Sequence, residues 1–194
     1  PEAAEITVHD PATSPLSAGF AASFHELRKH RGVDLEAARQ AVQDPLVFAA
    51  LMVRHGEAEG TIGGAVATTA DTVRAALQIV GRGPAQDTVS SYFLMLLREP
   101  FSRPVVFADC GLIAQPSVEE LAGIAIASAQ SFRTMVGAEP KVAMLSFSNF
   151  GDNDRPASRK VREAVRILNE EHPEMEVDGE MHADTAVTAS LLHD

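Results

Sequence analysis

The alternation of β-prone apolar runs with helical repeats in the second half of the chain most constrains its fold. The apolar runs are Val89–Leu97, Val105–Ala108, Lys141–Leu145 and Met175–Val177. Helical repeats separate them, one ending near Val136 and one spanning Pro156–Glu171. Connections of this length allow crossovers between parallel strands. The pattern therefore predicts an α/β fold with a largely parallel or mixed sheet covered by helices.

The first half of the chain carries clear helix boundary signals. Four helices are predicted, at Ser17–His30, Asp34–Val42, Asp44–Gly56 and Ala70–Val80. Gly32 and Gly56 stand where a helix ends, and Pro45 follows Asp44 at a favoured first-turn position. Two short strands are also predicted here, an edge strand at Ile6–Val8 and a buried strand with a loop at Gly60–Ala67.

Two further helix signals lie towards the end of the chain. Ser117 and Glu120 have the spacing of a capping box, in which each side chain satisfies a free backbone N–H of the first turn. A last helix is predicted at Asp184–Leu192. The 194 residues suit one domain, or one piece of a two-domain protein.

Charge and cysteine content exclude several classes of protein. The net charge of −11 does not suit general nucleic-acid binding, which needs a basic surface. A single cysteine allows no internal disulfide and favours a reducing, cytoplasmic compartment. No apolar run reaches the roughly 18 residues that a membrane span needs. The histidines show no zinc spacing, and the sequence contains no phosphate-loop, dinucleotide-binding or serine-hydrolase motif.

One candidate binding site lies between Gly63 and Arg74. Two glycines allow close approach of a ligand, and Thr68 and Thr69 stand where a helix begins. Their hydroxyls and the free N–H groups of the first turn could receive an anion, and Arg74 could add a forked donor. The alternative is structural: Thr69 caps the helix, and Arg74 pairs with an acid.

A second candidate site follows the apolar run Lys141–Leu145. Ser146 and Ser148 have strand spacing and are expected to point to one face. A polar loop and Arg155 come next, followed by a helix that carries Arg159 and Lys160. These groups could form a phosphate cradle. The alternative is a polar strand end followed by a solvated helix face.

Three other polar segments are expected to have structural roles, each with a functional alternative. Ser90 and Ser91 are expected to satisfy each other or the backbone, and the alternative is that they face a cleft. Cys110 is expected to be a buried, inert thiol, and the alternative is a thiol that contacts a ligand or reacts. Asp178-Gly179-Glu180 is expected to form a turn, and the alternative is a site role for its two carboxylates.

Several longer motifs, in one order, resemble the phosphate acetyltransferase family. They are LRKHRG at 27–32, DP at 44–45 with LMV at 51–53, GAVATTADTVR at 64–74, FADC at 107–110, PKVAMLSFS at 140–148 and DGE at 178–180. The resemblance covers nearly all of the chain from Leu27 onward.

The resemblance implies a three-layer α/β/α fold of the isocitrate/isopropylmalate dehydrogenase type, with a mixed sheet. It implies that the chain is a single domain over residues 1–194, the second domain of a longer two-domain protein. The implied reaction is acetyl-CoA + phosphate ⇌ coenzyme A + acetyl phosphate, without a metal or cofactor, in a cytoplasmic homodimer. It also makes five residues candidates for binding the acetyl-CoA or acetyl phosphate substrates: Thr68, Thr69, Arg74, Ser146 and Ser148.

The sequence also departs from the family pattern. The family's catalytic serine, arginine and aspartate belong to a C-terminal segment that this sequence does not contain, so no catalytic residue is assigned. NFG at 149–151 and DGEMH at 178–182 are more similar to the acetyltransferase-like domain of NADP-dependent malic enzymes. That similarity leaves an alternative function open, an acetyl-CoA-sensing regulatory domain without transferase activity.

Overall fold

The computed structural model describes residues 6–83 and 88–188. The chain divides into two compact units, Pro1–Gly83 and Pro84–Asp194, and each is described by itself. The expectation of a single domain therefore stays a prediction. In the part of the chain that the structure describes, no helix is long and apolar enough to cross a membrane.

The first unit contains the four predicted helices. They are α1 (Ser17–Arg28), which continues into a 3₁₀ turn at Lys29–Arg31, α2 (Leu35–Val42), α3 (Pro45–His55) and α4 (Thr69–Ile79). Asp34 caps α2 by accepting from the Ala37 amide, and Asp44 caps α3 by accepting from the Leu46 amide. Gly32 and Gly56 end their helices with φ of 81° and 75°, a conformation that glycine adopts without steric cost.

The core of the first unit is built from the apolar faces of these helices. Phe20 of α1 meets Phe48 of α3 edge to face, with ring centroids 5.0 Å apart. Leu51 and Ile79 are completely or almost completely buried beside them. Arg54 Nη1 donates to the Ile79 carbonyl at 2.7 Å, which satisfies the carboxyl end of α4.

The two strands predicted in the first unit are wrong. Residues 6–8 and 60–67 form no strand, and the side chains of Ile62 and Val66 are fully exposed. A strand needs a neighbouring strand to satisfy its backbone, and the described part of this unit contains none. The cap of α4 also differs from the prediction, because Thr68 rather than Thr69 accepts from the Asp71 amide.

The second unit alternates strands and helices as predicted. Its elements are β1 (Tyr92–Leu96), β2 (Pro104–Ala108), α5 (Val118–Val136), β3 (Lys141–Leu145), α6 (Pro156–Glu171), β4 (Glu176–Met181) and α7 (Ala183–Val187). β1 and β2 form an antiparallel pair, in which Tyr92 lies opposite Ala108. β3 and β4 form a parallel pair connected through α6. A mixed α/β fold is thereby confirmed.

Several element boundaries in the second unit differ from the predictions. β1 is shorter than Val89–Leu97. β4 begins one residue later than the strand predicted at Met175–Val177 and extends four residues beyond it, to Met181. α7 ends at Val187 rather than Leu192, and residues 189–192 of that predicted helix lie outside the described residues.

The core of the second unit lies between the β3–β4 pair and two helices. Buried side chains of α5, α6 and β3 form one cluster, which includes Ala122, Ala125, Met144, Val161, Ala164, Val165 and Leu168. The predicted capping box holds the start of α5. Ser117 Oγ accepts from the Glu120 amide at 3.1 Å, and Glu120 Oε2 accepts from the Ser117 amide at 2.8 Å. These helices fix the carboxyl ends of β3 and β4 side by side.

Candidate functional site

A β-bulge in the parallel β3–β4 pair creates the most unusual feature of the second unit. Met144 lies opposite Gly179, but Leu145 lies opposite Met181, so Glu180 has no partner in the register. Glu180 and Met181 are consequently both buried, although strand alternation would place one of them outside. A bulge re-aims a side chain, and this one turns a carboxylate inward.

Gly179 makes this bulge possible. Its φ of 139° is a conformation that other residues rarely adopt, and a Cβ at this position would lie 2.6 Å from the Met144 carbonyl oxygen. Asp178-Gly179-Glu180 therefore belongs to β4, and the prediction of a turn is wrong. The sequence signal was present as a glycine next to an acid, but it did not distinguish a turn from a bulge.

The Glu180 carboxylate is completely buried and receives three donors on one oxygen. Its Oε1 accepts from Ser148 Oγ at 2.8 Å, from the Gly151 amide at 2.9 Å and from Arg162 Nη1 at 2.9 Å. Its Oε2 is buried and has no hydrogen-bond partner among the described residues. A single charged oxygen thus connects β4, the loop after β3 and helix α6.

These contacts lower the pKa of Glu180. Burial by itself would raise the pKa, but the hydrogen bonds from Ser148 and the Gly151 amide, with the charge of Arg162, outweigh that effect. The pKa of Asp152 is also lowered, first by the Ser148 hydroxyl and then by the Asn149 amide. Both carboxylates are therefore ionised at neutral pH.

The loop after β3 is tied to the end of β4 by backbone and side-chain contacts. The Ser146 amide donates to the Met181 carbonyl at 2.9 Å, and Asn149 Oδ1 accepts from the His182 amide at 2.8 Å. This loop and the start of α7 line an open cleft of about 710 Å³ whose lining residues are Asn149, Phe150, Gly151, Asp152, His182, Asp184 and Thr185. The cleft lies at the carboxyl ends of two parallel strands, where α/β proteins place ligands.

Ser146 and Ser148 have different environments in this loop. Ser146 is half-buried, whereas Ser148 is completely buried, with its hydroxyl 2.8 Å from Glu180 Oε1 and 2.8 Å from Asp152 Oδ1. Lys160, one of the predicted phosphate donors, donates instead to the Pro116 carbonyl at 2.7 Å. Arg159 pairs with Asp154 at 2.8 Å. These two cations are therefore paired within the second unit.

The first unit holds the other candidate cluster, at the start of α4. Thr68 Oγ1 donates to Asp71 Oδ2 at 2.7 Å, and Arg74 Nη1 donates to Asp71 Oδ1 at 2.6 Å. Thr69 is exposed beside them. The hydrogen bond from Thr68, followed by that from Arg74, lowers the pKa of Asp71. The pairing of Arg74 with an acid, one of the alternatives from the sequence, is thus observed, and the Arg74 side chain is 60% exposed.

Asp109 is a polar residue that sequence reasoning missed. Its carboxylate accepts from Ser91 Oγ at 2.6 Å and from the amides of Gly111 and Leu112 at 2.7 and 3.0 Å. Burial opposes ionisation, but these hydrogen bonds outweigh it and lower the pKa of Asp109 to about 2.

Two predictions lie near Asp109. Ser91 Oγ accepts from the Cys110 amide at 3.2 Å, which agrees with the predicted bond to the backbone, and it also donates to the Asp109 carboxylate. The prediction of a buried thiol is wrong, because Cys110 is exposed. Asp109 draws the chain into a tight loop, which leaves the following thiol on the surface. No group of three or more His, Cys, Asp or Glu residues within 6–83 and 88–188 could hold a metal ion.

Comparison with known proteins places the chain in a family. Residues 2–194 match the family model described as phosphate acetyl/butaryl transferase. A phosphate acetyltransferase of Paracoccus denitrificans is 48% identical over 186 residues, covering 94% of this chain and 58% of that protein. One of Acetivibrio thermocellus is 39% identical over 189 residues, covering 96% of this chain and 57% of that protein.

Solved structures agree with the sequence match. The EutD phosphotransacetylase of Staphylococcus aureus superposes with a TM-score of 0.82 at 35% identity, covering 97% of this chain and 57% of that one. A phosphotransacetylase of Streptococcus pyogenes gives a TM-score of 0.85 at 36% identity, covering 97% and 56%. The chain spans little more than half the length of these relatives. It belongs to the phosphate acetyl/butaryl transferase family.

Proposed function

We propose that this chain takes part in the reversible transfer of an acetyl group between coenzyme A and phosphate. The observation that carries the proposal is the family match over residues 2–194, together with 48% identity to a phosphate acetyltransferase. The names of the curated relatives favour this enzyme over the regulatory domain of a malic enzyme. Coenzyme A is a substrate here, and the reaction needs no further cofactor.

The reaction makes specific demands on the binding residues. In the direction of acetyl-CoA formation, the thiolate of coenzyme A attacks the acetyl carbonyl, the carbonyl–phosphate C–O bond breaks, and phosphate leaves. Donors must hold the phosphate oxygens and the developing oxyanion in place. No protein nucleophile is required.

We assign the anionic part of the substrate to Thr68, Thr69 and Arg74. The start of α4 offers free amides and a favourable dipole, and Asp71 holds Arg74 at 2.6 Å beside them. Only Nη1 of Arg74 contacts that carboxylate, so its planar fork can still engage an anion. The Arg74 side chain is 60% exposed and therefore accessible.

In the second unit, taken by itself, we assign the loop after β3 to contact with substrate. Ser146 is partly exposed there and can contact a ligand directly, whereas Ser148 contributes by anchoring the loop to Glu180. Asp152 and Asp184 make the nearby cleft acidic, so this loop suits an uncharged portion of coenzyme A better than its phosphates.

Thioester absorbance tests the proposal when the purified chain is mixed with acetyl phosphate and coenzyme A. Calorimetric titration with coenzyme A tests binding in the same samples. Arg74→Ala is expected to weaken binding by about 10-fold or more, as loss of a charge-assisted contact to an anion does. Arg39→Ala is the matched control, because Arg39 is also 60% exposed and also pairs with an acid three residues away.

The outcomes separate the alternatives. A folded chain that binds coenzyme A without forming thioester has the binding groups but lacks the catalytic ones. Binding of acetyl-CoA without transfer by the whole protein would favour the regulatory alternative. A folded chain that binds neither coenzyme A nor acetyl-CoA would overturn the proposal.

Four further expectations complete the proposal. We propose a three-layer α/β/α fold, a position as the second domain of a longer two-domain protein, and a cytoplasmic location. We also propose a homodimer, supported by the exposed apolar side chains of β1, among them Phe93 and Leu96. Sedimentation of the whole protein tests the dimer.

A further inference from the structure

We infer that Glu180 is a positioning residue for substrate binding, because it holds the loop after β3 in one conformation from inside the β3–β4 bulge. This inference rests on the proposed function, which assigns that loop to the substrate. Glu180 is completely buried, so it acts through the loop and not by contact with substrate.

The contacts of Glu180 with the loop are dense and local. Its side chain accepts from Ser148 Oγ and from the Gly151 amide, and its main-chain carbonyl accepts from the Phe150 amide at 2.8 Å. Three of four consecutive loop residues are thus bonded to one residue of β4.

The conformation that these bonds enforce is an uncommon one. Phe150 has a φ of 46°, in the left-handed region that bulky side chains rarely adopt. Such a conformation persists only where the surrounding structure determines it, and it is frequent at functional sites. Two bonds to Glu180, from the amides of Phe150 and Gly151, flank this strained residue and present its half-exposed ring to solvent.

A contribution to stability does not by itself explain why the buried position 180 holds an ionised glutamate. A buried ion pair is often no more stabilising than apolar side chains of similar volume. Here Glu180 Oε2 also lacks a partner among the described residues, which adds a desolvation cost. Departures from stable packing of this kind are expected at functional sites. The bulge and the backbone conformation of Gly179 together turn the Glu180 carboxylate inward.

Graded variants of Glu180 test the inference. Glu180→Gln retains an acceptor for Ser148 and Gly151 but loses the charge that pairs with Arg162, and Glu180→Ala loses every side-chain contact. Glu176→Gln is the matched control, because Glu176 lies on the same strand, is exposed and pairs with Lys141. Ser148→Ala removes one donor to the carboxylate and leaves Glu180 in place.

The measurements are the dissociation constant for coenzyme A, well below the melting temperature of each variant, and hydrogen exchange of the Phe150 and Gly151 amides. We expect binding of coenzyme A to be weakened about 10- to 100-fold in Glu180→Ala, because a loop released from its conformation loses contacts with the ligand. A smaller loss is expected in Glu180→Gln, and none in Glu176→Gln. Hydrogen exchange of the Phe150 and Gly151 amides should accelerate most in Glu180→Ala, less in Glu180→Gln and not at all in Glu176→Gln.

The possible results of these measurements lead to different conclusions. A lower melting temperature with an unchanged dissociation constant in the Glu180 variants means a structural role only and overturns the inference. If Glu180→Ala does not fold, Glu180→Gln and Ser148→Ala decide the question by the same criterion. A folded wild-type chain that does not bind coenzyme A overturns the proposed function, and the inference with it.

Discussion

Two clusters in this chain have the same three chemical groups but different surroundings. Thr68, Asp71 and Arg74 in the first unit combine a hydroxyl, a carboxylate and a guanidinium within one helical turn or two. Ser148, Glu180 and Arg162 in the second unit repeat the combination from three separate elements.

Burial is what distinguishes the two clusters. The side chains of Arg74 and Asp71 are 60% and 47% exposed, whereas those of Arg162 and Glu180 are 30% and 0% exposed. Water screens the first pair, and the second must be satisfied by the protein. The same groups therefore make a weak, adaptable site in one unit and a rigid support in the other.

The largest expected effect is the loss of Arg162. Arg162→Met leaves the buried Glu180 carboxylate without its cation, which costs about 3 to 5 kcal/mol of unfolding free energy. Urea denaturation measures it. Arg159→Met is the control, because Arg159 lies on the same helix and pairs with Asp154 while 54% exposed. Equal losses in the two variants would remove the distinction between the clusters.

A smaller effect is expected when the bulge is disturbed. Gly179→Ala places a Cβ 2.6 Å from the Met144 carbonyl oxygen. It also requires alanine to adopt a φ of 139°, which residues other than glycine rarely do. We expect a loss of about 2 to 3 kcal/mol in urea denaturation. Gly137→Ala, also at positive φ but with no atom within 4 Å of its Cβ, should lose only about 1 kcal/mol. If Gly179→Ala lost no more unfolding free energy than Gly137→Ala, the close approach of residue 179 to the Met144 carbonyl would be contradicted.

The exposure of Asp109 is intermediate between those of the two clusters. Its contribution to stability can be measured through the pH dependence of unfolding. Its folded pKa of about 2 is below the unfolded value of 3.8, so its stabilisation is complete above pH 4 and is lost as pH falls through 2. The contribution is on the order of 2 kcal/mol. Asp109→Asn should flatten this part of the stability–pH curve, measured by urea denaturation from pH 5 to 2. Glu171→Gln, at an exposed position of α6, should leave the curve unchanged.

The smallest effect is expected in the exposed cluster. Arg74→Met removes a solvent-screened pair between residues three apart on a helix surface, so the free energy of unfolding should fall only slightly. Thermal unfolding should barely change, while coenzyme A binding weakens as proposed above. A stability loss near that of Arg162→Met would show that exposure does not separate the two clusters.

Local signals predicted most of the helices correctly. Asp34, Asp44-Pro45 and the capping box at Ser117 each satisfy backbone groups of their own first turn, so no distant residue is needed. The errors fall where a distant partner decides the structure. Residues 60–67 have β-prone side chains but no strand to pair with, whereas Asp178 and Gly179 are turn-forming residues that pair with β3.

The candidate site residues follow the same division. The sequence pointed to Thr68, Arg74 and Ser148 because hydroxyls and arginine stand next to predicted helix starts and strand ends. It offered a site role for the carboxylates of residues 178–180 only as an alternative to a turn, and none for Asp109, because the partners of Glu180 and Asp109 come from other parts of the chain. Whether the five predicted substrate-binding residues bind substrate stays a prediction.

The sequence by itself determined most of the helices and their caps, the alternation with strands and the family. The reason is that caps, periodicity and motifs act over a few residues. Only the tertiary structure decided which polar groups are buried. Glu180 meets Ser148 and Arg162 across separations of 32 and 18 residues, and a bulge in strand pairing turns it inward. Burial governs how strongly these charged groups interact. It arises from packing, so no short segment of the sequence encodes it.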